Sequence, residues 1–106
     1  MKKFILSIAF QTLISLFCYS QGDSILSKKL IQMAEIDQQI MQSPPKNIKS
    51  GSEQHMALID SIATVNYKEA KRIFEKYGFP GFDLVGETGS KSFWLIVQHC
   101  DKWPDF

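Results

Sequence analysis

The stretch FWLIV, residues 93–97, decides the fold of this 106-residue chain. It lies in a segment that we predict to be helical from about residue 88 to residue 100 or 101, and its side chains are apolar on every side of that helix. A helix that is apolar all round belongs in the interior of a protein. The sequence therefore predicts that this last helix, Trp94 included, lies in the middle of the fold.

An earlier segment carries the apolar spacing of a helix that can pack against the last one. It begins at a capping residue, Asp23 or Ser24, and ends at the SPP sequence of residues 43–45, since neither proline can donate a backbone hydrogen bond. Its apolar residues recur every three or four positions, at Leu26, Leu30, Met33 and Ile40. This spacing is typical of an amphipathic helix.

A second amphipathic helix is predicted between the first helix and the last one. It begins after the capping residue Ser52 and runs to about Tyr77, where Gly78 can adopt a left-handed conformation that ends a helix. One face is formed by Ile59, Ile62, Ala63, Ala70, Ile73 and Tyr77.

The FPGF sequence of residues 79–82 predicts a tight turn, and LVG at residues 84–86 predicts a short extended piece before the last helix. The predicted fold class is therefore all-α: a small three-helix domain with a Gly/Pro turn, preceded by a signal-peptide helix.

The first twenty residues have the organisation of a secretion signal. Lys2 and Lys3 precede an apolar run over residues 4–17, and CYS at residues 18–20 places small side chains where signal peptidase requires them. We predict a signal peptide over residues 1–20, a small helical domain over residues 21–106, and a periplasmic or secreted protein. The alternative is a lipoprotein anchored through Cys18, although the large Phe17 precedes that cysteine.

The charge of the predicted mature chain excludes several classes of partner. Loss of Lys2 and Lys3 leaves ten basic against eleven acidic residues, with no basic stripe for nucleic acid. The mature chain has no polybasic segment and no apolar segment long enough to span a bilayer. We therefore predict no stable membrane insertion after signal cleavage. Cys100 is left without an intramolecular partner for a disulfide, and we expect it to be a buried packing residue.

Each predicted helix places a polar residue among its apolar ones. Helical projection puts Asp37 in the middle of the first apolar face and Asn66 in the middle of the second, while His99 follows the apolar run of the third. A buried carboxylate needs partners, so we expect the three residues to meet. They form either a structural polar network or a site in which Asp37 and His99 act as an acid–base pair or as metal ligands, oriented by Asn66.

Three further residues are candidate binding groups beside this cluster: Gln38, Gln98 and Asp101. The spacing does not favour a metal site, because His99 and Asp101 point apart on a helix and converge only if the helix ends at His99. No spacing typical of a metal or cofactor motif occurs, so we predict neither. His55, in the first turn of the second helix, is expected to be exposed to solvent.

These residues together resemble a bacterial family of unknown function. Its members show a DQ pair, as at residues 37–38, an Asp/Asn-containing helix, a G-[FW]-P…VG turn, as at residues 78–86, and a QHxD segment, as at residues 98–101. The resemblance implies an exported bacterial protein, and no known activity. Family members usually continue further, so the chain looks like a shortened member or a fragment.

We therefore expect an exported helical domain whose Asp37–Asn66–His99 cluster is structural. One alternative is a small hydrolase-like enzyme with His99 as general base and Asp37 as its orienter. The other is an interaction module that uses the turn at residues 79–82 and the aromatic end at residues 103–106.

Overall fold

A computed structural model describes residues 22–104 as three α-helices joined by short connections. Helix α1 is Ser24–Gln42, α2 is Glu53–Tyr77 and α3 is Phe82–Gln98, and no strand occurs in this part of the chain. The all-α prediction is confirmed. The predicted signal peptide and Phe106 lie outside the described residues.

The predicted helix boundaries of α1 and α2 are confirmed by their caps. The Asp23 side chain accepts a hydrogen bond from the Leu26 N–H at 2.9 Å, and the Ser52 side chain accepts one from the His55 N–H at 3.2 Å. These bonds satisfy backbone donors that have no partner within the helix. At the other end of α2, Gly78 has a φ of 72°, a conformation that glycine adopts without steric cost.

The prediction of an extended piece at residues 84–86 was wrong. Leu84 and Val85 lie in a first helical turn, and both donate their backbone N–H to the Gly81 carbonyl at 3.1 Å. Gly86 then interrupts the helix with a non-helical φ of 74° and ψ of 174°. After this kink the helix continues to Gln98. The helical turn carries Val85 into the core, where its side chain is buried.

Helices α1 and α3 approach each other closely at Gly89. A Cβ atom at this position would lie 2.9 Å from the Cβ of Val85 in the same helix and 3.0 Å from the Oγ of Ser27 in α1, so a larger residue would force these neighbours to shift. The Ser27 hydroxyl donates to the Val85 carbonyl at 2.8 Å, and the Asp23 N–H donates to the Leu84 carbonyl at 2.6 Å. The start of α1 is therefore tied to the first turn of α3.

The core lies between α1 and α3, with α2 across one side. It comprises Leu26, Leu30, Ala34, Ala70, Ile73, Val85, Phe93 and Ile96. Burial of Phe93 and Ile96 agrees with a central α3, but the prediction for Trp94 was wrong, since its side chain is 54 % exposed. The other helices leave that face of α3 uncovered. No helix within residues 22–104 has the length and apolar character needed to cross a membrane.

Candidate functional site

The structure brings Asp37 and His99 into direct contact. The His99 Nδ1 lies 2.6 Å from the Asp37 Oδ2, across the interface of α1 with the end of α3. The Asp37 side chain is buried, whereas that of His99 is 27 % exposed. The pair therefore has a carboxylate in the interior and an imidazole that reaches the surface.

Gln38 supports the carboxylate from the same helix. Its Nε2 donates to the Asp37 Oδ2 at 3.3 Å, and its Oε1 accepts a hydrogen bond from the Gln42 Nε2 at 3.1 Å. One carboxylate oxygen thus faces both the Gln38 amide and the His99 ring. Gln98, the other predicted glutamine, is exposed and does not take part in these contacts.

His99 opens on a groove of about 270 Å³ between α2 and the segment that follows α3. The residues that line it are Met56, Ile59, Asp60, Ala63, His99, Asp101, Lys102 and Trp103. Helix α3 ends at Gln98, with His99 as its C-cap residue. The helix must end at His99 for His99 and Asp101 to converge, and it does, so both residues line the groove.

Two contacts hold the segment after α3 against α2. The Trp103 ring stacks on the Tyr67 ring, with centroids 4.4 Å apart and planes 5° from parallel, and the Lys102 Nζ lies 2.8 Å from the Asp60 Oδ1. These contacts form one wall of the groove and make Trp103 part of it. Trp103 is therefore not the free aromatic end expected for an interaction surface.

Asn66 does not join Asp37 and His99, contrary to the prediction of a three-residue cluster. It is 8 % exposed and lies on a different groove, between α1 and α2. Within residues 22–104, no hydrogen bond links its amide to either predicted partner. A helical projection shows which face a residue occupies but discards its position along the axis. Asn66 shares its groove with Lys29 and Met33 of α1, and Asp37 does not line that groove.

The prediction that His55 is exposed was also wrong. Its ring is buried, and Nδ1 accepts the Gly51 N–H at 2.9 Å while Nε2 lies 2.6 Å from the Ile40 carbonyl oxygen. The ring therefore carries its proton on Nε2, and it links the end of α1 to the connection before α2. The polar linker folds back over this turn, a long-range arrangement that no local pattern indicates.

Cys100 is a packing residue, as predicted. Its side chain is buried, and the thiol donates to the Ile96 carbonyl at 3.2 Å. Burial raises the pKa of the Cys100 thiol, and the negative charges of Asp37 and Asp101 raise it further. Because the thiolate is the nucleophilic form, these surroundings oppose a nucleophilic role.

The described residues contain no group of three His, Cys, Asp or Glu side chains that could hold a metal ion. What the arrangement offers is an oriented imidazole. With Nδ1 bound to Asp37, the ring presents Nε2 as a proton acceptor, and no hydrogen bond within residues 22–104 occupies that atom.

Comparison with known proteins adds no relative: no family model, curated protein or solved structure matches the chain. The resemblance to a bacterial family of unknown function therefore stays a prediction, based on its quoted residues.

Proposed function

We propose that this domain is a small hydrolase-like enzyme in which His99 acts as general base and Asp37 orients it. The observation that carries this proposal is the 2.6 Å contact between a buried Asp37 carboxylate and a His99 ring that opens on a groove. A purely structural pair would have no need of an imidazole that reaches solvent. The groove volume of about 270 Å³ accommodates a small molecule or one small group of a larger substrate.

The chemistry follows from the orientation of the imidazole. Asp37 holds the proton on His99 Nδ1, so the Nε2 lone pair accepts a proton from a water molecule in the groove. The water oxygen attacks the carbonyl carbon of an ester, and the buried carboxylate stabilises the imidazolium that forms. When the carbon–oxygen bond to the alcohol breaks, His99 Nε2 returns the proton to the leaving oxygen.

The groove supplies complementary surfaces for such a substrate. Met56 and Ile59 offer apolar contact on the α2 side, and Lys102 lies on the opposite wall. The Lys102 ammonium pairs with Asp60, and both side chains are more than half exposed, so the pair can open to an anionic substrate group.

A panel of short-chain p-nitrophenyl esters tests the proposal. We expect slow hydrolysis that His99→Gln and Asp37→Asn each reduce by about 10²–10⁴-fold, the usual contribution of a positioned general base. Gln98→Ala, at the exposed neighbouring position, is the matched control and should leave the rate unchanged. Equal rates for His99→Gln and the parent protein, or no hydrolysis of any ester, would refute the proposal that this domain is a hydrolase.

Thermal melts distinguish a site from the structural pair that the sequence favoured. Residues that serve a site are often held at a cost in stability, so Asp37→Ala and His99→Ala should each be neutral or stabilising. A structural pair would instead lose about 1–3 kcal/mol of unfolding free energy on either change, with strong coupling in the double mutant. That second result would make the pair a device that holds α1 against α3.

The interaction-module alternative has support at the turn alone. Phe79 and Phe82 are at least half exposed there, although Phe79 also packs edge-on against Phe93, with ring centroids 5.2 Å apart. At the other end of the expected surface, one face of the Trp103 ring is covered by Tyr67, and residues 105–106 lie outside the described residues.

The proposed place of action is the periplasm or the exterior of the cell. It is based on the positive, apolar and small-residue regions of the first twenty residues. Mass spectrometry of exported protein should find Gln21 at the N-terminus. A chain that retains residues 1–17, or one lipidated at Cys18, would contradict this cleavage.

A further inference from the structure

We infer that the groove at Asn66 is a second binding site, and that it takes a small organic carboxylate with an apolar chain. This groove of about 530 Å³ lies between α1 and α2 and is separate from the groove at His99. Its lining residues are Lys29, Met33, Val65, Asn66, Lys68, Glu69 and Arg72. The inference does not depend on the proposed hydrolase.

The first argument is the state of the Asn66 amide. The residue is more than nine-tenths buried, yet its amide makes no hydrogen bond within residues 22–104. No fully enclosed side-chain nitrogen or oxygen in this part of the chain lacks a partner, so the amide must open to solvent, which it meets at the groove. The amide can therefore form a hydrogen bond to a ligand that enters the groove in place of water.

The charge of the groove selects an anionic ligand. Lys29 and Arg72 both pair with Glu69, and the Arg72 Nη2 lies 2.5 Å from the Glu69 Oε1. These two pairings lower the pKa of Glu69 to about 2, so the carboxylate stays ionised and is shared between two cations. With Lys68 as a third cation, the lining carries more positive than negative charge.

The rest of the lining selects an apolar body for that anion. Met33 and Val65 border the groove beside Asn66, and Val65 is 66 % exposed, with no helix of residues 22–104 covering it. A carboxylate can accept a hydrogen bond from the Asn66 amide and face Lys68, while its chain covers Met33 and Val65. Inorganic phosphate lacks the chain, and an alcohol lacks the charge.

Titration of the isotope-labelled protein with hexanoate, followed by NMR, tests this site. We expect saturable shifts of the Asn66 side-chain amide and of the Val65 methyl groups, and none with hexan-1-ol at equal concentration. Asn66→Asp keeps the shape of the side chain and repels the anion, so it should weaken binding at least about tenfold. Asn47→Asp, in the exposed linker, is the matched control and should bind normally.

Lys68→Gln is the second variant, since an exposed position tolerates the change, and it should weaken hexanoate binding about twofold to fivefold. Without ligand, Asn66→Leu should keep or raise the melting temperature, because the change breaks no hydrogen bond within residues 22–104 and adds apolar burial. A lower melting temperature or a failure to fold would show a structural amide and overturn the inference. Non-saturable shifts, or unchanged binding by Asn66→Asp, would overturn it as well.

The same titration separates this site from the hydrolase. His99→Gln should bind hexanoate as the parent protein does, because His99 does not line this groove. Loss of hexanoate binding in His99→Gln would place the ligand in the other groove and overturn the inference, whatever the outcome of the ester assays.

Discussion

The interface between α1 and α3 and the flank formed by α2 differ in how they bury residues. Helix α3 buries six of its 17 residues, and Gly89 lets it approach α1 closely. Helix α2 is longer, at 25 residues, but it buries only four. The buried polar residues of α2 are the large His55 and Asn66, whereas those of α3 are the two small serines at positions 90 and 92. The two grooves of the molecule that carry candidate sites both lie along α2.

This difference indicates that the two regions have different roles, one in stability and the other in ligand binding. The α1–α3 interface supplies apolar burial, which is the main stabilising contribution in so small a domain. The α2 flank packs less completely and leaves polar groups at groove edges, where ligands can reach them. Substitutions on the two sides should therefore have effects of different size and kind.

The largest effect is expected at Phe93, the centre of the α1–α3 interface. Its side chain is fully buried and packs edge-on against Phe79. Phe93→Ala removes about 3–5 kcal/mol, which equals most of the stability of a domain this small. Circular dichroism should show a chain that is largely unfolded at 25 °C or melts far below the parent.

Trp94→Ala is the matched control for this prediction, because it removes an aromatic side chain from an exposed face of the same helix. Trp94→Ala should cost less than about 1 kcal/mol. Equal losses for the two variants would contradict the view that the α1–α3 interface is where burial matters most.

The fold was predictable where it depends on local chemistry. Asp23, Ser52 and Gly78 act on their own helix ends, so sequence spacing alone located them. The first turn of α3 was missed because LVG has no helical period of its own. Val85 is helical there because α1 binds that turn through Ser27.

The candidate site was predictable only in part, for a geometric reason. Asp37 and His99 were both expected in the interior, and they lie at heights along their helices that allow contact. Asn66 is buried as expected but lies beside Lys29 and Met33 instead of Asp37. The burial of His55 depends on the path of the linker before α2. Both depend on the packing of whole helices, which a single sequence does not report.

On the α2 flank, the buried ring of His55 should give the next largest effect. His55→Ala leaves the Ile40 carbonyl and the Gly51 N–H without their partner, which typically costs about 1–3 kcal/mol of unfolding free energy. Urea denaturation measures the change. Gln54→Ala, at the exposed neighbouring position, should cost little, and an equal loss in both variants would rule out the proposed link between α1 and α2.

The smallest effect is expected at Glu69, where the flank is held by charge instead of apolar burial. The Arg72 hydrogen bond, opposed by partial burial and supported by Lys29, lowers its pKa from 4.5 to about 2 in the folded chain. A depressed carboxylate pKa stabilises the fold above pH 4.5, and this stabilisation is lost as the pH falls from about 4.5 to about 2. Because both cations are largely exposed, we expect a contribution of about 1 kcal/mol or less.

Glu69→Gln should therefore lower the urea midpoint slightly at pH 7 and not at pH 2. Glu87→Gln breaks an exposed pair with Lys91 and serves as the control, with no measurable change expected at either pH. A Glu69→Gln midpoint that falls equally at both pH values would show that shape, and not charge, holds α1 to α2 at this groove.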